Sequence, residues 1–366
     1  MKYSLAICVL AGIGTLACGS DKASPSKAHN ASKSTKDDTA GSSDAGGDAG
    51  AKPFAWDECG LSTGYAGDDR CILPPPADQG FQLHFGPDDY DNPDALSMLA
   101  PGEERTDNLP ATSSNDTDVY FFYRQYRLRP SAHHIIISAA NGSGDILTGR
   151  RIGTANTSQD YPAGDVIAPE DKNVGLPLAA HASISASFHA INTTDQPQLR
   201  EAWINFWYRD ASEVTEPAQE WFETGNVLLD VPPHTSTTLG PYTCNVDQDG
   251  RLLWLYGHRH ANNTRFTVSR VRGTQTDVIY DADKWDEPLL LEYSSLVKNP
   301  APDIPNGIEG GWSGILDVAA GDTISWQCNV TNNNDTDLRF TEQTYLGEMC
   351  IVDAEAVGAN CNGGLF

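Results

Sequence analysis

The sequence predicts an all-β protein in which two tandem antiparallel β-sandwich domains follow a signal peptide and a disordered tether. Beyond residue 52 the chain consists of short β-like runs without long stretches of helical periodicity. Turn-forming residues separate the runs, as at Asn141-Gly142 and Asp249-Gly250. A break near residues 210–217 divides the β-rich region into two parts of ordinary domain size.

Composition and charge limit the classes of function. The 366 residues are 39% hydrophobic, which is enough for a sizeable core. Acidic residues outnumber basic residues by 50 to 24, so the formal net charge is -26. A protein that neutralises nucleic-acid phosphates is therefore not expected, and the acidic surface repels anionic membranes. We expect no nucleic-acid partner and no obligate protein partner.

The N-terminal region predicts export. Residues 1–18 form a signal peptide whose apolar run is shorter than the roughly 20 residues of a membrane span. It ends Leu-Ala-Cys-Gly, which resembles a bacterial lipobox in which Cys18 is lipidated. Ordinary cleavage at a nearby small residue is the alternative. We expect a lipoprotein of the outer membrane or cell surface, held to the membrane only by its lipid, or otherwise a periplasmic or secreted protein.

Residues 19–52 form the tether, because they contain no aromatic residue and no Leu, Ile, Val or Met. Residues 53–105 are an N-terminal extension, residues 106–213 the first sandwich domain and residues 214–366 the second. One short helix is expected at residues 92–99. The predicted strands lie at residues 119–128, 133–139, 184–191, 203–208, 227–231, 252–260, 266–271 and 323–330.

Cysteine usage predicts disulfide bonds. Of the eight cysteines, Cys8 lies in the signal peptide and Cys18 is the lipidation candidate. An even number remains, which in an exported chain suggests three disulfides among fifteen possible connectivities. Cys59 and Cys71 close a short loop and are plausible partners. The absence of a Cys-x-x-Cys motif disfavours a zinc ribbon. The remaining six are Cys59, Cys71, Cys244, Cys328, Cys350 and Cys361.

The histidines are the candidate metal ligands. Side chains alternate along a strand, so His258 and His260 emerge on one face and can reach one metal ion. Two surface histidines are the alternative. Adjacent His133 and His134 can bind one ion only at a strand end or bulge, and a half-buried structural pair is the alternative. His189 lies near the end of a third run, and a structural histidine is the alternative. We interpret His84, His181 and His234 as structural.

Taken in order, these motifs resemble the copper type II, ascorbate-dependent monooxygenases, the family of peptidylglycine α-hydroxylating monooxygenase and dopamine β-monooxygenase. The similarity covers roughly residues 118–353. It rests on His133-His134 before three isoleucines, on His189 with Asn192, on His258-Arg259-His260 and on Gly347-Glu348-Met349-Cys350.

The resemblance implies two copper ions per chain and jelly-roll-like domains. An electron-transfer copper would be held by His133, His134 and His189. The catalytic copper, which binds dioxygen, would be held by His258, His260 and Met349. Ascorbate would supply the electrons, and one oxygen atom would enter a C–H bond of the substrate. Imidazole suits copper, and the thioether favours Cu(I).

The resemblance also implies the disulfides Cys328–Cys350 and Cys244–Cys361, which leaves Cys59–Cys71 in the extension. The chain differs from the family at the positions that bind substrate. Peptide-hydroxylating members carry an arginine two residues before His-x-His, whereas this chain has Tyr256. A tyrosine after their Met-Cys corresponds to Asp353. The peptide carboxylate anchor is therefore missing, and Tyr256 and Asp353 are the substrate-binding candidates, although Asp353 also fits a solvated loop acid.

Two other functions compete with the monooxygenase. One is a non-enzymatic copper-binding or surface-interaction lipoprotein of the same fold. The other is a hydrolase that holds zinc with His258 and His260. A hydroxylated product that depends on ascorbate distinguishes the enzyme from the first, and the metal retained distinguishes it from the second.

Overall fold

A computed structural model describes residues 59–140, 150–155, 160–162, 173–286, 289–295, 297–305 and 307–362 of this chain. Strands account for nearly all regular structure in these ranges. Within these ranges the only helix is a single 3-10 turn, Asp68–Arg70, so the all-β prediction is confirmed. All of them belong to one compact unit, Gly50–Phe366. The predicted signal peptide, its Cys18 and the tether lie outside the described residues.

The strands are numbered in chain order. Those of the first half of the chain are β1 (Gly80–Phe85), β2 (Met98–Leu99), β3 (Glu104–Thr112), β4 (Val119–Leu128), β5 (Ala132–Ala139), β6 (Arg150–Ala155), β7 (Asp160–Pro162), β8 (Val174–Leu178), β9 (Ser183–Ile191), β10 (Gln198–Leu199) and β11 (Ala202–Arg209).

Those of the second half are β12 (Glu216–Gly225), β13 (Asp230–Val231), β14 (Thr235–Val246), β15 (Gly250–Arg259), β16 (Asn263–Arg272), β17 (Gln275–Ala282), β18 (Leu290–Glu292), β19 (Gly310–Gly311), β20 (Leu316–Val318), β21 (Thr323–Asn332), β22 (Leu338–Phe340), β23 (Gly347–Glu348), β24 (Cys350–Val357) and β25 (Cys361–Asn362).

One ten-stranded sheet runs through both halves of the chain. Its strand order is β1-β11-β4-β8-β12-β24-β15-β18, with β7 added at β4 and β20 at β15. In this sheet β8 is the last strand from the first half, and β12 of the second half pairs with it in parallel. The predicted break at residues 210–217 thus falls just before β12. Strand β1, from the predicted N-terminal extension, pairs with β11 at the edge of this sheet.

Each half adds a second sheet that covers the shared one. The first has the order β3-β9-β5-β6, and the second has the order β19-β17-β16-β21-β14-β25. Alternation along β21 buries Ile324, Trp326 and Cys328, as expected for a strand with one face on the core. The buried side chains of all three sheets form one continuous hydrophobic core. The result is the predicted β-sandwich architecture. Smaller sheets are formed by β10-β2 and by β13-β22-β23.

The helix predicted at residues 92–99 is wrong. Asp94 Oδ1 accepts hydrogen bonds from the backbone N–H groups of Leu96, at 2.7 Å, and Ser97, at 2.9 Å. This side-chain turn replaces the first helical turn, and β2 then pairs with β10.

The three predicted disulfides are confirmed. Their Cα–Cα distances are 5.5 Å for Cys59–Cys71, 5.7 Å for Cys244–Cys361 and 6.0 Å for Cys328–Cys350. Such bonds persist in oxidising compartments, so they indicate that the chain folds outside a reducing cytosol. Among the described residues, no helix has the length and apolar character needed to span a membrane.

Candidate metal centre

A β-bulge directs the adjacent side chains of His133 and His134 to the same region. Strand β5 pairs with β9, and the register shifts between Ala132 and His134, which is the irregularity that two adjacent ligands require. His134 then lies directly opposite His189. His133, His134 and His189 are buried, with exposures of 7%, 3% and 0%.

The second half brings two more histidines to this region. His258 lies on β15, and His260 follows the end of that strand. Strand β24 pairs with β15 so that His258 lies opposite Ile351 and Arg259 opposite Cys350. Met349, immediately before β24, is therefore carried to the same end of the sheet. His258 and His260 are 7% and 0% exposed, so the alternative of two surface histidines is wrong.

All five imidazoles form one cluster, which we call the histidine cluster: His133, His134, His189, His258 and His260. The ring centroids of His133 lie 5.0 Å from His189 and 5.6 Å from His260. His134 and His258, from different halves, are 5.1 Å apart. The family resemblance predicts two separate trios. The structure instead contains two overlapping trios that share His133, and the candidate ligand atoms of each lie within 4.8 Å of one another.

The cluster suits a metal ion because its nitrogens are buried and available. Among the described residues, His133 Nε2, His134 Nδ1 and both ring nitrogens of His260 have no hydrogen-bond partner. Burial lowers the pKa of His189 to about 4 and that of His260 to about 3. Burial also holds the pKa values of His133 and His258 well below the ordinary value. These four imidazoles are thus neutral at pH 7, the state that binds metals.

Two carboxylates, those of Glu104 and Glu348, hold residues of the cluster in position. Glu104 on β3 contacts His189 Nε2 at 3.0 Å and accepts hydrogen bonds from the N–H of Thr344 at 2.9 Å and its hydroxyl at 3.1 Å. A carboxylate behind a histidine fixes the ring and its tautomer. Glu348 accepts the backbone N–H groups of His260 and Met349, both at 2.9 Å. Burial raises the pKa of Glu348 to about 7.

A small cavity of about 70 Å³ opens beside the cluster. His134, His258 and Met349 line it together with both substrate-binding candidates, Tyr256 and Asp353. Its remaining walls are Ile136, Arg151, Phe340, Glu342 and Ile351.

Asp353 is 1% exposed and lies on β24, so the solvated-loop alternative for this residue is wrong. Its carboxylate is 3.3 Å from Arg151 of the first half. The cavity wall is mainly apolar, and its polar part consists of the Arg151–Asp353 ion pair, the Glu342 carboxylate and the two imidazoles. This arrangement can hold a small, largely apolar molecule against the cluster.

The other described histidines lie away from the cluster. His84 contacts the buried carboxylate of Glu201 at 2.8 Å, whereas the side chains of His181 and His234 are 60% and 65% exposed. Their structural interpretation agrees with these positions.

Sequence reasoning missed Glu104, Glu342 and Arg151. None of the three lies in a motif. Glu104 lies two residues before Thr106, the β3 partner of His189, and so shares its face, but this register comes from strand pairing and no sequence pattern shows it.

Comparisons with known proteins identify no family. No protein-family model matches the chain, and no curated protein matches its sequence. Among solved structures, the chain is similar to the major capsid protein P2 of bacteriophage PM2, with 10% identity, a TM-score of 0.29 and coverage of 78% of this chain and 100% of that one. It is also similar to A223, a turret protein of Sulfolobus turreted icosahedral virus, with 10% identity, a TM-score of 0.17 and coverage of 71% and 98%. These similarities are too weak to bear on function.

Proposed function

We propose that this chain is a copper-dependent monooxygenase that hydroxylates a C–H bond of a small substrate, with dioxygen as oxidant and ascorbate as electron donor. The observation that carries the proposal is the cavity in which His258 and Met349 meet the substrate-binding candidates. When bound, copper supplies the redox chemistry that activates dioxygen. The residues of this chain bind the metal, exclude water and position the substrate.

The ligand set favours copper over zinc. Imidazoles serve both metals, but a thioether is a soft ligand that selects Cu(I). Met349 is 3% exposed and lines the cavity beside His258 rather than packing only in the core. A zinc hydrolase has no use for a thioether at this position. His258, His260 and Met349 are therefore the proposed catalytic ligands, and His133, His134 and His189 the proposed electron-transfer ligands.

The cavity wall supports a small substrate rather than a peptide. Tyr256 replaces the arginine that would hold a peptide carboxylate, and Asp353 is already matched by Arg151 at 3.3 Å. Ile136, Phe340 and Ile351 exclude water from the reacting side. A dry wall protects a reactive site from side reactions.

The decisive experiment measures oxygen incorporation. The copper-loaded full chain is supplied with ascorbate, isotopically labelled dioxygen and a panel of small aromatic and aliphatic compounds, and products are examined by mass spectrometry. We expect a labelled hydroxyl group in at least one product. We also expect a sulfur scatterer in X-ray absorption of the reduced copper protein. Bound copper without any labelled product would instead indicate the non-enzymatic copper-binding function.

Two methionine variants, one at the cavity and one away from it, test the role of the thioether. Met349→Ile removes the thioether from the cavity and should abolish turnover while the fold survives. Met98→Ile makes the same change on β2, away from the cavity, and should retain turnover. If both variants turn over equally and bind Cu(I) equally well, Met349 is not a ligand.

We also propose that the enzyme is anchored by a lipid on Cys18 at the outer membrane or cell surface. The disulfides fit an exported chain. Labelling with a fatty acid tests the anchor. Wild type should carry the label in the membrane fraction, and Cys18→Ser should lose both the label and the membrane association. A wild-type chain that is soluble and unlabelled would refute it.

A further inference from the structure

The histidine cluster has too few imidazoles to fill both of its overlapping trios at once. The two trios contain His133 in common, so five histidines fill six ligand positions. A neutral imidazole offers one lone pair, and His133 can therefore serve only one ion at a time. If His133 joins His258, His260 and Met349 around one ion, His134 and His189 are left with two imidazoles and need a further ligand.

Glu342 lies next to His134 and His189, where a third ligand is needed. Its Oε2 is 3.5 Å from His134 Nε2 and 3.8 Å from His189 Nδ1, and these two nitrogens are 3.3 Å apart. Ligand atoms about 2.0–2.2 Å from a common ion are separated by about 3 to 3.6 Å. The three atoms thus need to move little to share one ion.

The segment that carries Glu342 is fixed to the first half. Glu342 lies between β22 and β23, and Thr344 two residues later donates its N–H and its hydroxyl to Glu104. Glu104 in turn contacts His189. The position of the Glu342 carboxylate over His134 and His189 is therefore supported by a hydrogen-bonded neighbour.

We propose that Glu342 is a metal ligand, which joins His134 and His189 around one ion and leaves His133 to join His258 and His260 around the other. This inference rests on the proposed function, because it assumes that two copper ions are bound. It divides the cluster differently from the family resemblance, in which His133 belongs with His134 and His189. It also makes the first site a shared one, with ligands from both halves of the chain.

The chemistry of the carboxylate gives the inference a specific signature. A carboxylate is a hard ligand, which favours Cu(II) over Cu(I). Losing Glu342 should therefore weaken the binding of oxidised copper and leave reduced copper almost unaffected. Met349 has the opposite preference at the other site.

The test titrates the full chain with Cu(II), and separately with Cu(I), in competition with chromophoric chelators. Wild type should bind two Cu(II) ions. Glu342→Gln should weaken one of the two by about tenfold or more, and Cu(I) by less than about twofold. Glu342→Asp, which keeps the carboxylate, should recover part of the loss. Glu213→Gln makes the same charge change at an exposed site outside the cluster and should match wild type.

A double variant tests the division of ligands. His133→Ala should retain one Cu(II) ion at His134, His189 and Glu342. Adding Glu342→Gln to His133→Ala should remove that ion, a loss larger than the two single effects combined. X-ray absorption of wild type with two Cu(II) ions should show the five imidazoles distributed over both ions with additional oxygen ligands, and this measurement needs no variant.

The outcomes separate the two proposals. If wild type binds two copper ions and Glu342→Gln behaves like Glu213→Gln, the Glu342 inference is wrong and the proposed function stands. If His133→Ala loses all binding at His134 and His189 although Glu342 is present, the inference is also wrong. If wild type binds no copper, both proposals fail together.

Discussion

A buried ion pair joins the two halves of the chain beside the candidate site, and its removal should destabilise the fold strongly. Arg124 on β4 and Glu355 on β24 lie 2.6 Å apart, with side chains 0% and 3% exposed. Glu355 is two residues from Asp353, which lines the cavity. Arg124→Met removes the cation but keeps an unbranched side chain of similar length. Removing one partner of a buried pair costs about 3–5 kcal/mol, because the other charge stays in a low-dielectric interior.

The expected magnitude distinguishes the pair from an ordinary contact. Glu355→Gln should cost a similar amount, since Arg124 then loses its partner charge. The double variant removes both charges and should cost clearly less than the sum of the single variants.

Urea unfolding of the metal-free protein at pH 7, with its disulfides intact, measures these differences. Fluorescence and circular dichroism should give coincident transitions before any free energy is assigned. The reasoning is refuted if Arg124→Met costs less than about 1 kcal/mol, or if the double variant equals the sum of the singles. Either result would mean that the two charges do not depend on each other.

Three further predictions concern the cluster and its support. The metal-free protein should lose stability as pH falls from about 6.5 toward 4 and 3, because the folded state lowers the pKa values of His189 and His260 and the unfolded chain binds more protons; a stability that rises on acidification would contradict this. Gly257→Ala should cost about 1–3 kcal/mol and weaken copper binding, since a Cβ at residue 257 would lie 2.6 Å from the ring of Phe266; unchanged urea midpoint and copper affinity would refute it. Serine at both cysteines of Cys244–Cys361, which are 117 residues apart, should cost about 4–5 kcal/mol by thermal or urea unfolding; a loss below about 1 kcal/mol would show that the bond is dispensable.

The sequence was most informative where local chemistry decides structure. The need for a bulge at His133 and His134 followed from the alternation of strand side chains, and the register shift after Ala132 provides it. The one-face placement of His258 and His260 followed from the same rule. The disulfide partners came from the family resemblance and agree with the structure.

The arrangement of the cluster could not be predicted, because it depends on pairings between distant strands. The parallel contact of β12 with β8 sets how the halves meet, and no local pattern encodes it. Glu342 and Arg151 reach the site from segments without motifs. The failed helix at residues 92–99 shows the reverse problem, in which one side-chain turn at Asp94 outweighed a favourable N-terminal sequence.

The shared ten-stranded sheet has a consequence for how the proposed enzyme would work. Backbone hydrogen bonds cross from the first half to the second at β8 and β12, so the spacing between the two sets of histidines is built in during folding. Hinge bending at this seam would break those bonds. If two metals bind as proposed, the imidazoles that would hold them keep a fixed separation, such as the 5.1 Å between the ring centroids of His134 and His258, and no movement of one half against the other would be needed to bring them together.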